Sequence, residues 1–112
     1  MDDCLFCKIV RGEIPAEIVF DNVSFLAFRD INPQAPSHIL VIPKKHVAGI
    51  HEVDETDDMQ GLMQTVAQIA REEGLQTAGY RVVINSGRHG GQTVDHLHVH
   101  ILGGRAMTWP PG

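Results

Sequence analysis

His96-Leu97-His98-Val99-His100-Ile101-Leu102-Gly103-Gly104 sets three histidines in strict alternation with aliphatic residues, and a period of two predicts a strand. Successive strand side chains point to opposite faces, so His96, His98 and His100 share one face and Leu97, Val99 and Ile101 the other. A helix would turn His98 about 200° away from His96 and leave no apolar stripe. One face is therefore expected to be core and the other chemistry. Alternate strand residues are about 6.5–7 Å apart, so a compact group meets two imidazoles at once. His98 and His100 are placed to clasp a phosphate or a metal ion, with His96 as the outer member. A lone histidine would read as a half-exposed surface residue; three in register behind a glycine-rich loop read as a site.

Outward from this strand, the other elements fall into a simple order. Leu5 to Val10 predicts a short helix, broken by Gly12 and Pro15. Glu17–Phe20 and Val23–Phe28 flank Asp21-Asn22 as a tight hairpin. His38–Ile42, mostly apolar and closed by Pro43, predicts a central strand. From Asp54 to Gly74 the apolar residues Met59, Leu62, Met63, Val66, Ile69 and Ala70 recur near helical spacing, giving one long helix. Arg81–Asn85 predicts a further strand. Strands in series with one long and one short helix imply an α+β domain: an antiparallel meander of about five strands, covered on one face.

The 112 residues suffice for one domain, 1–112, with 105–112 as a tail. Fourteen acidic against nine basic residues give a charge of −5, which argues against a general nucleic-acid surface. No stretch is long enough to span a membrane, and Met1-Asp2-Asp3-Cys4 is acidic where a secretory signal is basic. The expected location is cytoplasmic. There Cys4 and Cys7 are free thiols or metal ligands rather than a bridge.

Ser86-Gly87-Arg88-His89-Gly90-Gly91-Gln92-Thr93 leads into the histidine strand. Glycines let backbone N–H groups converge on an anion, and Thr93 adds a hydroxyl, so the loop is read as phosphate-binding.

The triad is followed by Leu102-Gly103-Gly104-Arg105 and preceded by Gly90-Gly91-Gln92. Upstream stand Asp30-Ile31-Asn32-Pro33-Gln34-Ala35-Pro36-Ser37-His38 and Val41-Ile42-Pro43-Lys44-Lys45-His46, and Trp109-Pro110-Pro111-Gly112 ends the chain. Over nearly its whole length the sequence thus resembles the histidine triad (HIT) nucleotide-binding proteins, in their purine nucleoside phosphoramidase branch. The resemblance implies a homodimer sharing one continuous antiparallel sheet and an AMP-type ligand. It also implies hydrolysis of a phosphorus–nitrogen bond through a nucleotidyl-histidine, with no cofactor in the chemistry. His98 is then the nucleophile, its second ring nitrogen held by the His96 carbonyl. His100 is a donor to the phosphate oxygens, as are Thr93 and the Gly91 and Gln92 amides. His38 either assists proton transfer to the leaving amine or is a buried sheet histidine.

For the nucleoside, the resemblance makes Asp30 the ribose ligand with Ile31 beside it, and puts Asn85 next to the phosphate loop. Asp30 and Asn85 otherwise read as turn residues. Phe6, Ile9, Phe28 and Leu40 supply a purine slot, although each is equally readable as core. Trp109, on a proline-stiffened tail, offers an apolar face to substrate in the partner's site. Two features depart from the phosphoramidase pattern. Asp95 replaces a common aromatic, and Cys4 and Cys7 are extra. Related triad branches join such a cysteine pair to two histidines around zinc, here His46 and His96; the alternative is that both cysteines pack as small apolar residues. Two other functions stay open: a metal-dependent hydrolase using the histidine cluster, and a nucleotide-binding adaptor with incidental hydrolysis.

Overall fold

The computed structural model describes residues 3–112; Met1 and Asp2, which open the expected 1–112 domain, lie outside the described residues. Its centre is β3 (Ser37–Pro43), buried from His38 to Ile42. β1 (Ile18–Asp21) and β2 (Phe25–Arg29) lie to one side of it, and β5 (Val99–Gly103) and β4 (Tyr80–Val83) to the other. All neighbours are antiparallel. The expected α+β class and five-stranded antiparallel sheet are present. The meander holds for β1-β2-β3 and then breaks, because β5 inserts between β3 and β4. Most of the apolar length of β5 needs partners on both sides, whereas β4 alternates exposed and half-buried residues and suits an edge.

Three local boundaries differ from the sequence reading. The hairpin turns through Asn22–Ser24, because the Asn22 side chain accepts from both the Ser24 and Phe25 amides at 2.9 and 2.7 Å. The long helix, α2 (Met59–Glu72), starts five residues later than expected. Asp54 and Asp57 side chains accept backbone N–H groups of Thr56 and Asp54, forming a turn that competes with helix, and Asp58 caps the helix through the Gly61 amide at 2.8 Å. The regular strand expected from His96 begins only at Val99.

Both sheet faces are covered, correcting the one-sided expectation. α2 lays Leu62, Val66, Ile69 and Ala70 on Ala27, Ile39, Val41, Val99 and Ile101. On the opposite face α1 (Leu5–Val10) inserts Phe6 against Leu26, Phe28, Leu40 and Ile42. The histidine face therefore carries a small apolar layer of its own. Among the described residues no helix is long and apolar enough to cross a membrane.

Candidate active site and metal centre

The facing rule survives the shortened strand: Leu97 packs with the α2 core, while His96 and His98 meet the Phe6 ring at 5.9 and 5.1 Å. Hydrogen-bond partners fix the proton on each imidazole. His98 Nδ1 lies 2.7 Å from the His96 carbonyl oxygen, which can only accept, so Nδ1 carries the proton and Nε2 the lone pair. This is the acceptor that the family resemblance implied. His38 Nδ1 accepts from the Gln34 amide at 3.0 Å, which puts the His38 proton on Nε2. His38 Nε2 in turn donates to His100 Nδ1 at 2.9 Å, leaving the His100 proton on Nε2. That His100 Nε2 is buried without a hydrogen-bond partner among the described residues. An unsatisfied buried donor is costly, and here it stands beside the lone pair of His98. Burial lowers the pKa of His38 against the opposing pull of Asp30. For His100, burial first and then the neighbouring His98 and His38 lower the value to about 4. Both rings are neutral at pH 7.

His98 and His100, with ring centroids 5.0 Å apart, open onto a cleft also lined by Phe6, Ile9, Phe28, Asp30, Ile31, Leu40, Thr93 and Val94. Of the eleven other residues predicted to contact nucleotide, seven line this cleft and four, Asn85, Gly91, Gln92 and Trp109, are outside its lining. Phe6, Phe28 and Leu40 are wall and core at once, each buried in the layer under α1. Asp30 combines the turn reading with a place in the cleft. Its Oδ1 accepts from the Asn32 amide at 2.8 Å, and its Oδ2 lies 3.5 Å from His38 Nε2. His38 itself stands behind His100 rather than in the lining.

The glycine-rich segment is partly helical. α3 (Gly87–Gly90) folds it into a turn in which the Gly91 amide donates to Arg88 O at 3.1 Å and the Gln92 amide to Gly87 O at 3.0 Å. Both amides expected at a phosphate are thus engaged within the loop. The Gln92 side chain is engaged too, donating to Ala48 O and Val94 O and accepting from the Gly87 amide. It braces the loop that presents Thr93. Trp109 is 81% exposed, with the Arg81 guanidinium 5.9 Å from its ring, and Arg81 also donates to Thr108 O. The tail is therefore held at edge strand β4.

A second group forms where α1 meets the triad. Cys4 caps α1, its Sγ accepting from the Cys7 amide. His96 Nδ1 lies 3.3 Å from Cys4 Sγ and 3.6 Å from Cys7 Sγ, and His46 Nδ1 lies 3.3 Å from Cys7 Sγ. Zinc bonds of about 2.3 Å to sulfur and 2.0–2.1 Å to nitrogen put tetrahedral N···S edges near 3.5 Å, so this donor set fits. His96 Nε2 donates to Pro43 O at 2.8 Å, which leaves Nδ1 as a lone pair aimed at the thiols. Burial, then neighbouring Cys4, raises the Cys7 thiol pKa. Asp95 is exposed on the rim of a depression shared with Asp3, Cys4, His46 and Thr93.

Asp30, His38 and His100 also bring three donors together, but this set does not fit a cation. A metal on His38 Nε2 would move the ring proton to Nδ1, where it would confront the Gln34 N–H. The metal-dependent alternative loses its site there. The features that sequence reasoning missed are backbone groups: the Gln34 amide and the Pro43 carbonyl, which no side-chain pattern announces.

Residues 11–107 match the HIT domain family. The chain is 57% identical to an uncharacterized HIT-like protein of Synechococcus elongatus, covering 99% of this chain and 98% of that one. A 14 kDa zinc-binding protein of Zea mays is 51% identical, with 96% of this chain and 87% of the relative covered. Among solved structures, a HIT family hydrolase from Legionella pneumophila superposes with a TM-score of 0.96 at 54% identity, over 98% of this chain and all of the other.

Proposed function

The chain belongs to the HIT domain family, and on that premise we propose that it is a purine nucleoside 5′-phosphoramidate hydrolase acting through a nucleotidyl-His98 intermediate. The observation that carries this reading is the protonation pattern of the cleft: a lone pair on His98 Nε2 beside a buried N–H on His100 Nε2 that has no partner among the described residues. Together they offer a nucleophile and a donor to one phosphate. The name of the Legionella relative, a hydrolase, supports the reaction class.

In the proposed reaction Phe6, Ile9, Phe28 and Leu40 hold the purine, Ile31 flanks the sugar, and the Asp30 carboxylate accepts from the ribose hydroxyls. His98 Nε2 bonds to phosphorus as the phosphorus–nitrogen bond breaks; the amine leaves with that electron pair and takes a proton from solvent. His100 Nε2–H and the Thr93 hydroxyl stabilise the phosphate oxygens. His38 acts through His100, which is neutral and serves as a donor rather than a proton source. Water then attacks phosphorus, the bond to Nε2 breaks, and AMP and His98 are released. Cys4, Cys7, His46 and His96 hold a structural zinc that anchors α1 and takes no part in these steps. The zinc-binding name of the maize relative supports that assignment. A reducing cytoplasm keeps the two thiols available for it.

The active form is a homodimer in which edge strand β4, with Tyr80 and Val82 partly exposed, pairs with its copy. That pairing brings the tail held at β4 toward the partner's cleft, where Trp109 meets the leaving amine. Rapid quench with a phosphorus-labelled phosphoramidate tests the core of the proposal. A labelled adduct on His98 is expected; normal turnover with no adduct would instead mean direct attack by water. Light scattering at micromolar concentration tests the dimer, and a monomer would remove it. Trp109→Ala should change preference among amines more than AMP affinity.

A further inference from the structure

The Gly-Gly-Arg run that follows the triad has no part in the reaction above, yet it packs against the segment that sets the His100 proton. A Cβ on Gly104, whose φ is +90°, would come within 2.8 Å of Pro36 Cβ, so the chain passes the 34–36 segment at close range. Immediately after it, Arg105 donates twice to one acceptor: Nη2 to Gln34 O at 3.0 Å and Nε to the same oxygen at 3.3 Å. A further bond, Nη1 to Ala106 O at 3.1 Å, holds the guanidinium to the adjoining backbone. Gln34 is fixed from the other side by its side-chain amide, which donates to Asn32 O at 3.0 Å. The Gln34 N–H then rests on His38 Nδ1.

We propose that Arg105 and Gln34 are positioning residues for His100: the guanidinium holds the Gln34 carbonyl so that the Gln34 N–H stays on His38 Nδ1, which keeps both rings in the Nε2–H form. This rests on the phosphoramidase reading only in what the His100 N–H is for. The physical consequence of losing the contact follows from donor and acceptor counting. When the Gln34 N–H leaves His38 Nδ1, that nitrogen is free to carry the ring proton, and His38 Nε2 becomes an acceptor. His100 then donates through Nδ1 and turns a bare lone pair on Nε2 toward the phosphate oxygens, where repulsion replaces a hydrogen bond. Asp30 Oδ2, 3.5 Å from His38 Nε2, favours the Nε2–H form as well. Arg105 therefore shifts a population rather than acting as the sole determinant.

The test is ring-nitrogen NMR of His38 and His100 in the ligand-free, full-length protein, with steady-state kinetics on adenosine 5′-phosphoramidate in parallel. Wild type is expected to show Nε2–H on both rings. Arg105→Ala should bring a visible Nδ1–H population on His38 and lower kcat about tenfold, with KM changed less than about twofold. Arg105→Lys, which keeps a donor for the same carbonyl but not the fork, should recover part of both. Wild-type tautomers in Arg105→Ala would overturn the proposal, even if stability fell. Because the spectra need no substrate, a protein inactive on phosphoramidates would defeat the functional reading and leave the tautomer result standing on its own.

Discussion

Two clusters of potential metal ligands flank His98, one ending in His96 and the other in His100, and in each the donor atoms lie within 4.8 Å of one another. Proximity does not distinguish them; protons do. At the His96 end the ring N–H is spent on Pro43 O and the lone pair faces two thiols that can lose their protons to a metal. At the His100 end a backbone N–H starts a donor-to-acceptor chain through His38 that ends in an outward N–H. The first cluster offers electrons to a cation, and the second offers a proton to an anion. Two imidazoles four residues apart thus have opposite uses because of the backbone groups behind them.

The sharpest way to separate the clusters from the chemistry between them is to remove His98. His98→Asn should lower phosphoramidate turnover by at least about a thousandfold, with metal content and thermal stability at wild-type levels; retained turnover would end the nucleophile assignment. Removing the thiols attacks the other side of the comparison. A Cys4→Ala, Cys7→Ala double variant should lose a zinc measured near one per chain in wild type. With several kcal/mol of structural zinc binding lost, Tm should fall by roughly 10–20 °C. Metal retained near one equivalent in that variant would place a cation at Asp30, His38 and His100 and break the contrast.

His100→Ala should slow turnover by about a hundredfold, less than loss of the nucleophile, while zinc content stays constant. The smallest effect is in pH dependence. His100 has a folded-state pKa lowered to about 4, and that of His38 is lowered too. The unfolded chain, with histidines near 6.5, therefore binds more protons between those limits. Stability should be fully present above about pH 6.5 and decline as pH falls toward 4. His100→Gln should flatten that decline in thermal melts, and an unchanged slope would mean that the acid sensitivity arises elsewhere.

Much of this was legible because side-chain alternation is a property of residue type. His96, His98 and His100 against Leu97, Val99 and Ile101 announced both faces, even though hydrogen-bonded pairing begins only at Val99. Cys4 and Cys7 with His46 and His96 could be grouped by the chemistry of zinc ligands, and the structure does bring the four together. The glycine-rich loop is less legible: its glycines suggest open amides at Gly91 and Gln92, whereas in the structure both amides donate within a turn of helix and the Gln92 side chain braces the loop. The Gln34 amide was invisible for the opposite reason, since every residue except proline has one and only the fold says where it points. The start of α2 was missed because Asp54 and Asp57 suit a first helical turn and a capping turn equally well.

His96 serves its two neighbours through different parts of itself. Its ring faces the thiols and its carbonyl holds His98 Nδ1. Any amino acid supplies that carbonyl, but few supply the ring. A lineage can therefore lose the proposed metal site by changing residue 96 and keep the His98 Nδ1 proton where it is. Inheritance of the proposed cation site and of the proposed reaction would be uncoupled at a single position, by the division between main chain and side chain.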